Sequence, residues 1–432
     1  MGDFLHDLQL RGLIKDVSAP SQAGWSALSN RLLSKPITGY IGFDPTAASL
    51  HVGSLLQVLN LVRLQRAGHR PIAVVGGGTG LIGDPSGKAT ERQMLTSEQL
   101  AVNLAGIRTQ LERFLDFDGP RGAILIDNSE WLCQLNLIGF LRDIGKMFSV
   151  NQMIVRDSVA QRLKDREQGI SFTEFSYGLL QAYDFLELFD RYGCELQMGG
   201  SDQWGNILDG VNLIRRLRSQ PAWGLTAPLV VKSDGTKFGK SEKGNVWLDP
   251  CLTRAFSFFQ YWLNSDDADV GRYLRYFTFL PVEEILDIER AAAEHPERRQ
   301  AQWILAEEVT RHVHGEAVLG SVVRATHVLF GGGELRSLTE NELRDAFADA
   351  PRTTVPRSVL GTSEAAIATL LVQAGMESSK SRARTAIQSG AVSLNSQTVA
   401  APNRTLGAED ILAGGFAVLR RGKKNYHVVE VG

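Results

Sequence analysis

Short apolar runs alternate with helical periods through the first half of the chain, and the second half turns mostly helical. Tyr40–Phe43, Pro71–Val75, Ala123–Ile126 and Leu229–Val231 are runs of strand length. Between them, apolar positions recur every three to four residues over 54–67, 97–115 and 172–189, as in helices that bury one face. Strands alternating with helices over about 200 residues predict an α/β fold: a parallel sheet wrapped by helices. Beyond about Leu248, the segments Arg254–Leu263, Val282–Ala293 and Pro296–His314 have the spacing of packed amphipathic helices. Ala365–Ala374 and Ser379–Gln388 predict two short helices, and Gly390–Val399 a strand, turn and strand.

These patterns divide the chain into a helical lead (1–35), a sheet domain (36–228), a helical region opening on a lysine loop (229–330), a linker and a small α+β domain (361–432). The linker, 331–360, is marked by Gly331-Gly-Gly333, Pro351 and Pro356, all helix and strand breakers. No long-period repeat or low-complexity tract interrupts this order.

Charge adds one asymmetry. The chain carries a net charge of −2, too balanced to coat nucleic acid by bulk attraction. Residues 361–432 hold eight Lys and Arg against five Asp and Glu, a net of +3, so residues 1–360 carry −5. An anion-binding tail on an acidic body is the implied arrangement. With 43% hydrophobic and 22% charged residues among 432, the chain is neither disordered, collagen-like nor a disulfide scaffold. Cys133, Cys194 and Cys251 form no CxxC, which supports neither a zinc site nor a redox pair and fits a reducing cytosol. The first ten residues include Asp3 and Asp7 and lack the basic start of a signal peptide. No apolar run approaches the roughly 18 residues of a membrane span.

Two glycine motifs mislead. Gly78-Thr-Gly80-Leu-Ile-Gly83 follows a predicted strand and matches GxGxxG, but Asp84-Pro85 stops the helix that a dinucleotide site requires. Gly83-Asp-Pro-Ser-Gly87-Lys88 has too few residues before Gly-Lys for a P-loop. A turn at a strand end accounts for both, although strand ends are where α/β folds bind ligands.

Better chemistry lies at Tyr40-Ile-Gly-Phe-Asp-Pro-Thr-Ala-Ala-Ser-Leu-His-Val-Gly-Ser54, a strand leading through a turn into a helix. His51 and Ser54 are three apart and share a face near the helix start, where free N–H groups and the dipole suit phosphate. Gly53 lets a base or ribose approach the backbone. Alone, this is equally a decorated helix start. Some 185 residues later, Lys232-Ser-Asp-Gly235-Thr-Lys237-Phe-Gly-Lys240-Ser241 places two ammonium groups on a mobile loop, able to close over a leaving pyrophosphate. An isolated stretch of this kind is more commonly a solvated basic loop. Tyr177, Gln181 and Asp184 fall at i, i+4 and i+7 on one helix face.

Together these strings resemble class I aminoacyl-tRNA synthetases. His51-Val-Gly-Ser54 is similar to their HIGH signature, with Ser54 in place of the second histidine, and Lys237-Phe-Gly-Lys240-Ser241 is similar to their KMSKS motif. The longer string from Tyr40 to His51, and Ser176-Tyr-x-x-x-Gln-Ala-Tyr-Asp184, resemble the bacterial tyrosyl family in particular. The tail's helix, basic helix and Gly-x-Val-x-Leu-Asn strand resemble the RNA-binding domain named after ribosomal small-subunit protein four, which that family carries at its C-terminus.

The resemblance implies a Rossmann-like catalytic domain that activates L-tyrosine with ATP, accompanied by Mg²⁺, and charges tRNA(Tyr) as a cytoplasmic homodimer. By the same token His51, Ser54, Lys237, Lys240 and Ser241 would serve the phosphate chemistry. Tyr177, Gln181 and Asp84 would hold the substrate α-ammonium, and Asp184 and Tyr40 the phenol. Gly199, Asp202 and Gln203 would lie against ribose and amino acid, and Gly42, Asp44, Thr46 and Gly53 near the nucleotide. Asn128, Trp131, Lys88 and Arg92 match positions near nucleotide or phosphates. Lys380, Arg382, Arg384, Arg420, Arg421, Lys423 and Lys424 are the candidate RNA contacts. No bound metal, permanent cofactor or membrane partner is implied. Two alternatives stand beside this reading: a nucleotidyltransferase of the same fold for another small acid, and a non-catalytic RNA-binding protein on a synthetase scaffold.

Overall fold

The computed structural model describes residues 3–18, 24–86, 95–156, 159–160, 163, 169–236, 238–241, 244–422 and 425–432. The chain divides into two units, Met1–Leu252 with Ser265–Leu305, and Thr253–Asn264 with Ala306–Gly432.

A six-stranded sheet organises the first unit. Its strands are β1 (Asp16–Val17), β2 (Thr38–Phe43), β3 (Arg70–Val75), β4 (Ile124–Asp127), β5 (Cys194–Gly200) and β6 (Trp223–Ala227), in the order β1-β6-β5-β2-β3-β4. All pairings are parallel except that of β1 with β6. Parallel strands are covered on both faces, which is why β3 and β6 are apolar without alternation and almost wholly buried. One face packs Tyr40, Ile72, Val74 and Ile126 against Phe185, Leu188 and Ile214 from two helices, Phe172–Tyr192 and Trp204–Arg218. Burying each such side chain contributes about 1.5–3 kcal/mol.

The order reverses at β2: the chain moves outward through β3 and β4, then returns to β5 and β6 on the other side. The crevice beyond the carboxyl ends of β2 and β5 is therefore the switch point at which open α/β sheets bind ligands.

The predicted helices form, with ends moved by a few residues: Val52–Arg66, Ser97–Phe114, Phe172–Tyr192, Ala255–Leu263 and Val282–Glu294. The segment predicted from Pro296 is a 3₁₀ turn followed by the helix Gln300–His314. Leu229–Val231 is not a strand. The slot beside β5 is taken by β6, Pro228 follows at once with no N–H to give, and Leu229 and Val231 are more than half exposed. After β6 the lysine loop returns through the two-residue strands β7 (Lys240–Ser241) and β8 (Gly244–Asn245).

In the second unit, Phe258, Phe259 and Trp262 of Ala255–Leu263 are fully buried. Gln260 Nε2 donates to Thr326 Oγ1 of Glu316–Gly331 at 3.1 Å. A five-stranded sheet follows, of β9 (Arg352–Val355), β10 (Val392–Leu394), β11 (Gln397–Thr398), β12 (Phe416–Arg421) and β13 (Asn425–Val431), ordered β11-β10-β12-β13-β9. It packs on the helices Ile367–Gln373 and Lys380–Gln388 through Val355, Leu371, Ile387, Val392 and Leu419. Residues 331–360, expected as a linker, contain the helix Glu340–Ala346 and β9, which pairs parallel with β13.

Candidate active site

Residues just beyond the strand ends converge on one polar cleft. Asp44 follows β2, Thr79 follows β3, Asn128 follows β4, and Asp202 and Gln203 follow β5. The helix Phe172–Tyr192 presents Tyr177, Gln181 and Asp184 from its inward face. Ser171 caps that helix by accepting from Glu174 N at 3.2 Å.

At the deep end Asp184 is buried. It accepts from Trp131 Nε1 at 2.7 Å and from Asn128 Nδ2 at 2.9 Å. Burial pushes its carboxyl up to about 8, with the bonds from Asn128 and Trp131 pulling it back. Asn128 also fixes the glycine-rich turn, accepting from Gly78 N at 2.8 Å and donating to Thr79 Oγ1 at 3.0 Å. Tyr40, on β2, packs its ring 5.4 Å from that of Phe185. Its hydroxyl is buried and lacks a partner among the described residues. Burial first, then the Asp184 charge, raises the Tyr40 phenol well above its ordinary value. A buried hydroxyl without a partner beside a buried carboxylate is a costly arrangement in an empty cavity and a useful one for a ligand with its own hydroxyl.

Nearer the mouth, Asp44 accepts from Tyr177 OH at 3.0 Å and from Thr79 Oγ1 at 2.8 Å. Burial and then the Asp44 charge push the Tyr177 phenol up as well. Asp84 accepts from Gln203 Nε2 at 2.6 Å and from Ser86 N at 2.9 Å. Gln181 Nε2 donates to Gln203 Oε1 at 3.3 Å, and Asn206 Nδ2 donates to Gln181 Oε1 at 3.0 Å. Burial, followed by the Asp84 charge, raises the Asp202 carboxyl. Three carboxylates and three amides thus ring the mouth, an acidic rim suited to an ammonium group.

The helix Val52–Arg66 starts at the same edge. His51 is its N-cap, and its Nδ1 accepts from Gly53 N at 3.0 Å. A Cβ on Gly53 would lie 2.7 Å from the His51 ring carbon Cε1, so glycine lets the imidazole fold over the helix start. The His51 and Trp247 rings are 6.0 Å apart, and the two residues form a β-bridge. Ser54 N donates to His51 O at 2.8 Å, placing Ser54 in the first turn. Gly42 and Thr46 are exposed, and Gly199 closes β5 against the Gln203 side chain. Lys240 is exposed on β7 and Ser241 is its neighbour on that strand, while Lys237, Lys88 and Arg92 lie outside the described residues.

The family resemblance singles out Tyr40, Asp44, Asp84, Tyr177, Gln181, Asp184, Asp202 and Gln203, and these meet at this cleft. It gives no weight to Thr79, Ser86 or Asn206, which tie these groups to one another. Thr79 lies inside the discounted Gly78–Gly83 motif, and its place at a strand end was the available signal. Asn128 and Trp131, expected near nucleotide or phosphates, direct their side chains to Asp184.

In the C-terminal sheet domain, Lys380, Arg382 and Arg384 are exposed on one helix. Arg420 is partly buried and donates to Ser393 Oγ at 3.3 Å. Arg421 is ion-paired with the buried Glu377. Lys423 and Lys424 lie outside the described residues.

Residues 33–331 match the family described as tRNA synthetases class I (W and Y), and residues 342–429 match the tyrosine–tRNA ligase SYY-like C-terminal domain. A tyrosine–tRNA ligase of Roseiflexus castenholzii is 51% identical over all of both chains. That of Dechloromonas aromatica is 50% identical over 99% of this chain and 98% of its own. Among solved structures, a C-terminally truncated mitochondrial tyrosyl-tRNA synthetase of Aspergillus nidulans superposes with a TM-score of 0.68 at 32% identity, covering 76% of this chain and 95% of its own. With full-length identity near one half and a family model over most of the chain, this protein belongs to the tyrosine–tRNA ligases of the class I aminoacyl-tRNA synthetase family.

Proposed function

We propose that this chain works as an ATP-dependent tyrosine–tRNA ligase through the cleft at the β2–β5 switch point. One observation carries the assignment of the pocket: the buried Tyr40 hydroxyl, without a partner among the described residues, lies within the field of the buried Asp184 carboxyl. A substrate phenol would donate to Asp184 and accept from Tyr40, completing both. Phenylalanine would leave both groups unsatisfied, a discrimination for which the tyrosyl enzymes are themselves the standard illustration. At the mouth, Tyr177, Gln181 and Asp84 receive the substrate ammonium, with Asp44 holding the Tyr177 hydroxyl in place.

In the first step a tyrosine carboxylate oxygen attacks the α-phosphorus of ATP. The new P–O bond forms as the α–β bridging bond breaks, and pyrophosphate leaves. The start of Val52–Arg66 turns its positive dipole end and His51 toward the phosphates, with Ser54 in the same turn; its backbone N–H groups are already bonded to Val246 O, His51 Nδ1 and His51 O. Gly42, Asp44, Thr46, Gly53, Gly199 and Asp202 flank the nucleotide, with Asp202 on the ribose side. Lys237, Lys240 and Ser241 close over the departing charge. Mg²⁺ would accompany ATP and offset the charge on its phosphates, while Asp44 and Asp84 are engaged by Tyr177, Thr79, Gln203 and Ser86. In the second step a hydroxyl of the 3′-terminal ribose of tRNA(Tyr) attacks the adenylate carbonyl, and AMP departs. The residues contribute positioning and charge, with no covalent enzyme intermediate.

The tail's exposed Lys380, Arg382 and Arg384, with Arg420, Arg421, Lys423 and Lys424, form its RNA-facing set. A homodimer is the working form. Its support is apolar surface between 137 and 172: Ile138 and Phe172 are 70% and 78% exposed, and Leu137, Val150 and Val155 are also exposed. We place the enzyme in the cytoplasm, with the tRNA pool it charges. The direct test is pyrophosphate exchange with each of the twenty amino acids. Stimulation by tyrosine alone is expected, and stimulation by another acid instead would overturn the pocket assignment.

A further inference from the structure

The proposed chemistry needs Lys240 to meet phosphates at the start of Val52–Arg66, yet Lys240 sits exposed on a two-residue strand. The root of its loop is held by a helix that no sequence motif marks, Asp267–Phe277. Asp266 caps this helix by accepting from Ala268 N at 2.8 Å. Asp269, in the first turn and 2% exposed, accepts from Ser233 N with both carboxylate oxygens, at 3.2 and 3.1 Å, and from Ser233 Oγ at 3.2 Å. Arg272 pairs with Asp269 and donates to Val231 O at 2.6 Å. Further along the helix, Tyr273 and Phe277 receive the loop's Phe238, with ring centroids at 5.1 and 5.3 Å.

The next residue, Gly239, lies on the histidine signature itself. Its φ is +81°, and a Cβ there would lie 3.1 Å from Val52 Cγ2 and 3.5 Å from Gly53 N. The far end of the same helix is tied to Val52–Arg66. Arg63 Nη2 donates to Tyr276 O at 2.9 Å and Thr278 O at 3.0 Å, and Arg11 Nη2 donates to Leu280 O at 2.8 Å. One helix therefore grips the lysine loop at its start and the signature helix at its end.

We propose that Asp267–Phe277 is a brace that sets the lysine loop against the histidine signature, with Asp269 as the positioning residue at the loop end. This rests on the ligase reading above. With Ser233 bonded to Asp269 and Phe238 packed on Tyr273 and Phe277, both ends of the approach to Lys240 are referred to the same helix.

The test is single-turnover tyrosyl-adenylate formation by the full-length protein as wild type, Asp269→Asn, Lys240→Ala and the double variant. Asp269→Asn is expected to slow the step about tenfold or more, while tyrosine Kd stays within about twofold. In the Lys240→Ala background the same change is expected to cost less than about threefold, because the group it positions is gone. Effects that multiply in the double variant, an unchanged rate in Asp269→Asn, or a matching loss of tyrosine affinity overturn the brace. Should Asp269→Asn not fold, Phe238→Leu loosens the same grip from the loop side and is judged by the same criteria. A wild type that makes no tyrosyl-adenylate defeats the ligase reading and the brace with it; an active wild type indifferent at Asp269 defeats the brace alone.

Discussion

The sheet-edge cleft and the C-terminal sheet domain both handle charge, by opposite means. In the cleft Asp184 is buried and bonded to Trp131 and Asn128, and Asp44 to Tyr177 and Thr79, so each position depends on its neighbours. On the tail Lys380, Arg382 and Arg384 stand exposed over a small apolar core, and none needs its neighbour to hold its place. Buried, coupled groups give sharp selectivity and large losses on substitution. Exposed cations give graded, salt-screened attraction and small ones.

Asp184→Ala should produce the largest effect. It strands the Trp131 and Asn128 donors and removes the acceptor of the substrate phenol, a loss of about 3 kcal/mol, on the order of 10²-fold in kcat/KM for tyrosine activation. A change below about threefold would break the contrast. A pH series sharpens it. With the Asp184 carboxyl pushed up to about 8, the folded chain keeps a proton that the unfolded chain has released between pH 3.8 and about 8. Its contribution to stability is present below that window and lost as pH rises through it. Tyrosine affinity should move the other way, rising toward pH 9 as the ionised carboxylate accepts the substrate phenol. A flat affinity profile in the wild type, or the same inflection in Asp184→Asn, would count against the assignment.

Lys240→Ala comes next. Because the lysine meets charge that develops only as pyrophosphate leaves, adenylate formation should slow by roughly 10²-fold while tyrosine Kd barely changes. Rapid-quench kinetics with ATP separates the two quantities. A loss confined to tyrosine binding would move Lys240 out of the phosphate chemistry.

How far the residue string revealed this architecture depends on the kind of interaction. The strands β2, β3 and β4 and the long helices were legible because burial imposes a period. Tyr177, Gln181 and Asp184 were legible as one face for the same reason. Leu229–Val231 has the pattern of a strand without being one, because an apolar triplet does not say which segment wins the slot beside β5. Contacts between distant segments left no local trace: Asn128 reaching Asp184, or Asp269 reaching Ser233, joins residues 56 and 36 apart. Glycine at 331–333 suggested a linker, but β9 at 352–355 completes the C-terminal sheet through a parallel pairing that periodicity cannot foresee.

That pairing decides where a truncation must fall. Ending the chain after residue 360 leaves β9 without β13, whereas ending it after Ala350 removes the sheet whole. It also spares the helix Glu340–Ala346, whose Asp345 accepts from Phe256 N at 2.9 Å. The shorter protein should form tyrosyl-adenylate at the wild-type rate and charge tRNA roughly tenfold more slowly at physiological salt. Equal charging would deny the tail its role, and a lost first step would show that the two regions are not separable.

The smallest expected effect belongs to single tail cations. Arg382 is exposed and its only described side-chain bond, Nη1 to Ser378 Oγ at 3.3 Å, is local. Arg382→Ala should weaken tRNA affinity only a few-fold and leave adenylate formation untouched. If the residue neutralises one phosphate, the slope of log Kd against log salt should fall by about 1. Arg421 provides the internal contrast. Its pairing with the buried Glu377 means that Arg421→Ala strands a carboxylate, so its loss should appear first as a lowered Tm. A slope unchanged from wild type in Arg382→Ala would mean that the tail reads RNA through shape rather than through countable phosphate contacts.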